Sequence, residues 1–461
     1  MKKFLTSLVA IMICIITAFS LVGCTEWSGF SNDTSNVVSN SGIAVKHDGY
    51  LYFINGTKTT SATANKGDIV QGAIYKVKLD NEGEIAYKED GETFEEISKV
   101  VNALVGFDEG SIHIFGNYLY YVTTSNRQNS AAEVLYQQFE FNRYDLKSGK
   151  SETFYRTAKN DDTISYAFYQ NDNTIDFVIF EQKSATLTSL SIGDSVSENF
   201  KKTEVTGAVL SENYGISTKT TAQNTVDDAD CYVYYTKAAV TDGEYRDGNR
   251  VYFASSDGSF DKLLNEKNEK VTLLTVRAGK LLYTVNDYIY ADSIDASKTA
   301  LGYDTNNLQT VISYKSYDNV LFMERDNGLV LLVYEGSEIS FIDWSKNYPE
   351  FTKETLYDFG SDSIKVKFIG IDGDYLVMTV DKVVNKIKIS NNTGEEIVPI
   401  PLTTSKFEDA TALMAPEIAD GYVYGFVSEN SQKYMYRVSL ETPEGAELEE
   451  AEFVGVKEDK K

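Results

Sequence analysis

The chain has 461 residues, with 69 acidic side chains against 43 basic ones and a formal charge of −26. Such a surplus repels phosphate backbones and anionic headgroups, which argues against nucleic acid as a partner and against peripheral adhesion to a charged membrane. Aromatic residues make up 13% of the chain, almost all of them Tyr (32) and Phe (24), and this supply of β-formers in so long a chain predicts a large β core.

In chain order, the first element is an export signal. Lys2 and Lys3 precede an apolar stretch from Phe4 to Leu21 that carries no charge. The stretch is long enough that an uncleaved signal anchor is the alternative. Leu21-Val22-Gly23-Cys24 resembles the lipobox of bacterial lipoproteins, with a branched apolar residue, small residues and then a cysteine. The resemblance implies that residues 1–23 are removed and that Cys24 carries a diacylglyceryl thioether as the new N-terminus. The protein is then held by lipid on the extracytoplasmic face of the bacterial cell membrane. Loss of Lys2 and Lys3 leaves 41 basic and 69 acidic residues, a charge of −28.

Residues 24–42 are rich in Ser, Asn, Thr and Gly and read as a lipidated flexible tether, spanning about 25 Å as a random coil. Of three cysteines, Cys14 leaves with the signal and Cys24 is lipidated, so Cys231 has no partner for an intramolecular disulfide. It opens the apolar run Cys231-Tyr232-Val233-Tyr234-Tyr235 and reads as a small buried hydrophobe.

From residue 43 to the end, one phrase recurs: a tight-turn pair followed by an aromatic strand. It occurs as Asp48-Gly49-Tyr50-Leu51-Tyr52, Gly116-Asn117-Tyr118-Leu119-Tyr120, Asp372-Gly373-Asp374-Tyr375-Leu376 and Asp420-Gly421-Tyr422-Val423-Tyr424. Weaker copies begin at Asn173, Ala229, Gly279 and Asp318. Asp-Gly and Gly-Asn supply the positive φ of two-residue hairpin turns, so each phrase reads as the second strand of a hairpin. A second phrase, a strand running into another turn, follows most copies, as at Ile74–Leu79, Asn142–Leu146, Val251–Phe253, Lys386–Ile389 and Tyr434–Val438. Four short antiparallel strands per unit, repeating every roughly 40 to 70 residues, predict an all-β propeller of about eight blades, with seven as the alternative. Ring closure then makes the Asp48–Ile54 unit a neighbour of the Asp420–Phe426 unit. Residues 94–107 and 405–414 break the pattern and read as short helices or irregular outer strands.

In their cadence of turns and tyrosines, these phrases resemble an uncharacterised group of bacterial surface propellers, loosely similar to the YWTD propellers of low-density lipoprotein receptors. The match covers Ile43 to about Val456, and Leu119-Tyr120-Tyr121-Val122 approximates the tetrapeptide. The resemblance implies fold and exported context and no catalytic residue.

Catalytic motifs fail one by one. Only His47 and His113 could serve a Ser-His-Asp arrangement, and both fall on first strands, where packing is the expected role. G-x-S-x-G and H-E-x-x-H are absent. Gly243 to Gly248 has the phosphate-loop spacing, yet Asn249 stands where lysine is required. Asp172, Thr174 and Asp176 alternate like the start of a calcium loop without its glycine and distal glutamate; turn chemistry accounts for them and for Asp227, Asp228 and Asp230. Ser255–Phe260 does not match a sialidase box. No metal and no cofactor is expected.

The reading that follows is a non-enzymatic interaction module, lipid-anchored through Cys24, with a protein or cell-wall ligand. The alternative is a propeller hydrolase acting on glycans or peptides through carboxylates at the central channel. Partner contact is expected on three long second-to-third-strand loops, residues 55–71, 123–137 and 236–249, with short equivalents near Glu181, Asn286 and Asp326. Asn126, Arg127, Tyr245 and Arg246 are the candidate contacts, since they pair guanidinium groups with an aromatic in a chain with only eight arginines.

Overall fold

A computed structural model describes residues 42–56, 58–61, 68–88, 93–97, 103–104, 112–124, 139–157, 164–171, 174–181, 186–192, 201–204, 210–217, 232–241, 244–255, 261–265, 271–277, 280–286, 288–293, 297–303, 312–313, 319–325, 328–343, 353–389, 397–407, 416–429, 432–441 and 447–457. Every element among them is a β-strand or turn. Among the described residues, eight antiparallel sheets of four strands follow one another along the chain; seven are built from consecutive strands, and in the first, two strands of a separate three-stranded sheet intervene.

Turn chemistry explains the hairpins. Asp48 and Gly49 both take positive φ (50° and 75°), as do Asp420 and Gly421 (49° and 77°). That double left-handed pair matches the twist of the strands it joins. The first sheet pairs Ala44–His47, Tyr50–Ile54, Ile74–Lys78 and Phe94–Glu96. The seventh pairs Val366–Asp372, Tyr375–Val380, Val383–Lys388 and Ile400–Lys406, and the eighth Glu417–Ala419, Tyr422–Glu429, Gln432–Ser439 and Glu452–Phe453.

The first strands of the sheets touch their neighbours in sequence, and that of the last sheet touches Ala44–His47 of the first. The result is a closed ring of radially arranged sheets, an all-β propeller. Apolar side chains fill the wedges between sheets. Phe141 and Phe154 of the second sheet pack on Tyr166 and Phe177 of the third. Leu51 and Phe53 share a core with Leu119 on one side and with Tyr424 and Met435 on the other.

The tyrosine cadence has a structural cause. In four sheets a cation from the third strand lies over the ring that opens the second. Lys76 sits 5.5 Å from the centroid of Tyr50, Arg143 4.2 Å from Tyr118, Lys386 4.9 Å from Tyr375 and Arg437 4.2 Å from Tyr422. In three of them the same cation pairs with a glutamate on the outer strand: Glu95, Glu152 and Glu452. The residue two places along the second strand, opposite the cation in register, is Tyr52, Tyr120, Val377 or Tyr424. Each is buried. The repeat therefore stacks an apolar residue, a cation and an aromatic on one face.

Among the described residues no strand is exchanged between the first and last sheets, and side chains bond across the seam. The Glu417 carboxyl group accepts hydrogen bonds from the Ile43 and Ala44 backbone N–H groups, both at 2.7 Å. Asn55 bonds both ways with the Val456 backbone at 2.9 Å. At the opposite end, Lys46 pairs with Asp420, Tyr422 and Arg437 donate to Glu84, and Tyr87 donates to Glu452.

Several expectations need correction. The strand after Asp318, Asn319–Arg325, is the first of its sheet rather than the second. Turn signals flank it on both sides, and the largely apolar Gly328–Glu335 takes the central place. The connection at Asp326 thus joins a first strand to a second, and the second-to-third turn of that sheet is Gly336–Ser337. Residues 236–249 are no open loop: Tyr232–Thr241 and Glu244–Ser255 pair as one long hairpin with an irregularity between Ala238 and Ala239. Within residues 94–107, Phe94–Glu96 is an outer strand, and Ser405-Lys406 ends another.

Candidate functional site

In an antiparallel meander, the start of the first strand, the second-to-third turn and the end of the fourth strand share one end of the sheet. That end carries the features most able to meet a ligand. Within residues 55–71, Lys58–Ser61 pairs with Asp68–Gly72, and Ala103–Leu104 joins them as a third strand. The Tyr232–Ser255 hairpin rises at the same end of the fourth sheet, where its strands run for 10 and 12 residues. The corresponding strands of the fifth sheet, Lys280–Val285 and Tyr288–Ser293, have 6 each.

A cavity of about 340 Å³ opens at this end between the seventh and eighth sheets. Lys365, Lys367 and Lys382 line it together with Thr379, and Val366, Phe407 and Pro416 form its apolar floor. The topology dictates the convergence. Val366 starts a first strand, Thr379 ends a second, Lys382 lies in the turn to the third, and Phe407 and Pro416 flank the passage to the next sheet.

The turn is unusual in chemistry. Asp381 and Lys382 hold φ of 48° and 75° at positions where Asn-Gly is relaxed. Hydrogen bonds secure them: the Asp381 N–H donates to the Lys365 carbonyl at 2.8 Å, and the Asp381 carboxylate accepts from the Lys365 N–H at 3.0 Å. The Phe407 N–H donates to the Lys382 carbonyl at 2.9 Å.

Glu417, next along the chain from Pro416, lies on the first strand of the eighth sheet. Part of its surface reaches solvent, but the carboxyl group is enclosed. Burial pushes its pKa up to about 8, against a smaller downward pull from the Ala44 and Ile43 N–H donors.

Both histidines fall on first strands, as expected. His113 is buried, stacked on Phe115 with centroids 6.4 Å apart and edge-on to Tyr166 at 5.9 Å, and burial lowers its pKa to about 3. It is a neutral core aromatic. His47 is lowered too, by burial first, with Asp48 opposing. Of the contacts expected from the sequence, Tyr245 and Arg246 lie on the long hairpin, opposite Val240 and Ala239. Cys24, Asn126, Arg127 and Cys231 lie outside the described residues. The three lysines escaped sequence reasoning. The only signal was a turn-forming Asp-Lys pair sharing a short stretch with Lys365 and Lys367.

No protein-family model matches the sequence, and no curated protein matches it. Solved structures do match over most of its length. An oligogalacturonate lyase from Vibrio parahaemolyticus is 8% identical, with a TM-score of 0.41 over 85% of this chain and 98% of the other. The β-propeller domain of the Trilobed protease from Pyrococcus furiosus is 11% identical, with a TM-score of 0.31 over 88% and 99%. A catalytically inactive virginiamycin B lyase from Staphylococcus aureus is 12% identical, with a TM-score of 0.37 over 72% and 94%. Likeness at this level brings no residue role with it.

Proposed function

We propose that this protein is a lipid-anchored surface propeller that binds a protein or a cell-wall component at the end bearing the long hairpins. The observation that carries the reading is the fourth-sheet hairpin, whose strands run well beyond those of the neighbouring sheet. Ordering the backbone of these longer strands costs about 1–2 kcal/mol per residue. Contact with a partner is the use that compensates. The tether of residues 24–42 and the lipid on Cys24 hold that surface outside the membrane.

A test is to replace residues 238–249 by a two-residue turn joining Lys237 to Arg250, which face each other in the ladder. The expected result is loss of retention on isolated cell-wall material or on co-purified surface proteins, with thermal unfolding unchanged. Undiminished binding by the shortened protein overturns the reading.

A further inference from the structure

We infer that the end of the ring bearing the long hairpins faces the membrane from which the protein hangs, and that its partner there is a protein embedded in that same membrane. The inference deepens the surface-binding reading and rests on it for the lipid on Cys24 and for contact through the hairpins.

Topology sets the facing. The first strand of the first sheet, Ala44–His47, starts at the end where second strands turn into third ones. Residues 24–42, which precede it, therefore join the ring at that end. The point of departure is fixed. Gly42 is buried, and its carbonyl accepts from the Ile112 N–H of the second sheet at 3.1 Å. Ile43 and Ala44, each 1% exposed, donate from the backbone to Glu417 of the eighth sheet at 2.7 Å. Ile112, Ala44 and Glu417 all belong to first strands, the innermost of their sheets, so the chain emerges near the axis and not at the rim.

Distances then decide which end meets the membrane. A coil as long as residues 24–42 spans about 25 Å. Strands about 4.8 Å apart put the rim roughly 15 Å outside the first strand, and a strand of about six residues is about 20 Å deep. Presenting the opposite end would draw the coil across the face and down the side of the ring, about 35 Å before any lipid is reached. The end where the chain departs meets the membrane without that stretch.

The same end carries what extends beyond the sheets. In the fourth sheet the first strand's pairing ends with Leu210 opposite Lys237, while the hairpin ladder runs on from Ala238 to Thr241. In the first sheet, the Lys58–Ser61 and Asp68–Gly72 strands belong to a sheet of their own. Their charge is unlike that of the chain as a whole. Residues 237–250 carry three basic and three acidic side chains, and residues 57–72 two basic and one acidic, against 43 and 69 overall. The acidic surplus that would hold a domain off an anionic membrane is absent from these two segments. A balance so near neutral gives no pull toward lipid headgroups either, which takes a cluster of basic residues. Mixed charge suits a protein surface that is itself mixed. A tether of this length also holds the hairpins at about millimolar effective concentration against a neighbour in the same membrane. A wall polymer on the far side of the ring meets the other end.

The test uses the full-length lipidated protein. In vesicles of phosphatidylethanolamine and phosphatidylglycerol with a headgroup-linked quencher, a fluorescent amino acid at position 244 should be quenched several-fold more than one at position 148. Position 148 lies in the exposed third-to-fourth turn of the second sheet, at the opposite end of the ring. Equal quenching, or stronger quenching at 148, overturns the facing. The partner is read in membranes from producing cells, with a photo-reactive phenylalanine analogue at position 245 or 148 and a protease site inserted among residues 25–41. After illumination and cleavage of the tether, the domain carrying the analogue at 245 should stay with the membrane through alkaline washing and muramidase digestion, joined to protein. The domain carrying it at 148 should be released. Release of both, attachment at 245 to lipid alone, or retention that muramidase abolishes overturns the inference. The last of these leaves the surface-binding reading standing, with the wall as partner. Undiminished binding by the hairpin-shortened protein sinks that reading, whatever the quenching shows about the facing.

Discussion

Arg437 of the last sheet donates from Nη2 to Glu84 at 2.7 Å, across 353 positions of sequence. The guanidinium is 1% exposed, lies over Tyr422 and also pairs with Glu452, so one side chain joins two strands of its own sheet to the first sheet. Where no strand is exchanged among the described residues, such contacts carry the closure. Arg437→Met keeps the stem and removes the charge, leaving both carboxylates partly solvated. The expected loss is about 2 kcal/mol, below the usual cost of orphaning a fully buried partner. Arg143→Met is the matched control, since Arg143 makes the same stack and pair wholly inside the second sheet. Amide exchange at Ala44 and Val45 should quicken in Arg437→Met and not in Arg143→Met. Equal effects would show that the ring closes by other means.

How much of this was legible beforehand depends on the range of the interaction. Local turn chemistry at Asp48-Gly49 and Asp420-Gly421 announced second strands correctly, because a two-residue hairpin is specified by its own residues. Where turn signals flanked a strand on both sides, as around Asn319–Arg325, position within the sheet was misread; only the pairing with Gly328–Glu335 decides it. The Asp and Gly residues of the 236–249 segment suggest a loop, yet pairing from Ala239 to Thr241 continues the strand. The lysine cavity and the Arg437–Glu84 pair had no local signature. Each depends on residues that only the ring brings together.

Cys24→Ala tests the anchor. The thioether forms on sulfur, so the variant should carry no lipid and should accumulate as uncleaved precursor or appear in the medium. Metabolic labelling with a fatty acid reads this directly. An acylated variant would end the lipoprotein reading, and a native protein that retains residues 1–23 would favour the signal anchor.

Gly425 shows how tightly the cavity floor is held. A β-carbon there would lie 2.1 Å from Cδ1 of Phe407 and 2.7 Å from Cε1. Phe407 is 2% exposed and has little room to retreat. Gly425→Ala should therefore cost about 1–3 kcal/mol through overpacking. Chemical denaturation measures the loss, and an unperturbed variant would mean that the floor is softer than its packing implies.

The last prediction concerns pH. Glu417 has its pKa raised from an ordinary 4.5 to about 8, with burial as the main cause. A raised carboxyl pKa means that the folded state holds a proton that the unfolded state releases. Below about pH 4.5 both states are protonated, and the group contributes no pH dependence. Between about 4.5 and 8 the folded protein binds the extra proton, so this group makes stability fall as pH rises. Above about 8 the carboxylate is charged in both states and the full penalty has accrued. Glu417→Gln imitates the protonated acid, and its amide oxygen can still accept from the Ile43 and Ala44 N–H groups. The variant should match the wild-type protein at pH 4.5, become the more stable of the two as pH rises, and hold a constant advantage beyond pH 8. Parallel denaturant melts from pH 4 to 9 give the difference directly. A difference that stays flat across that range would show that Glu417 ionises normally and that the seam at Ile43 closes around a carboxylate instead.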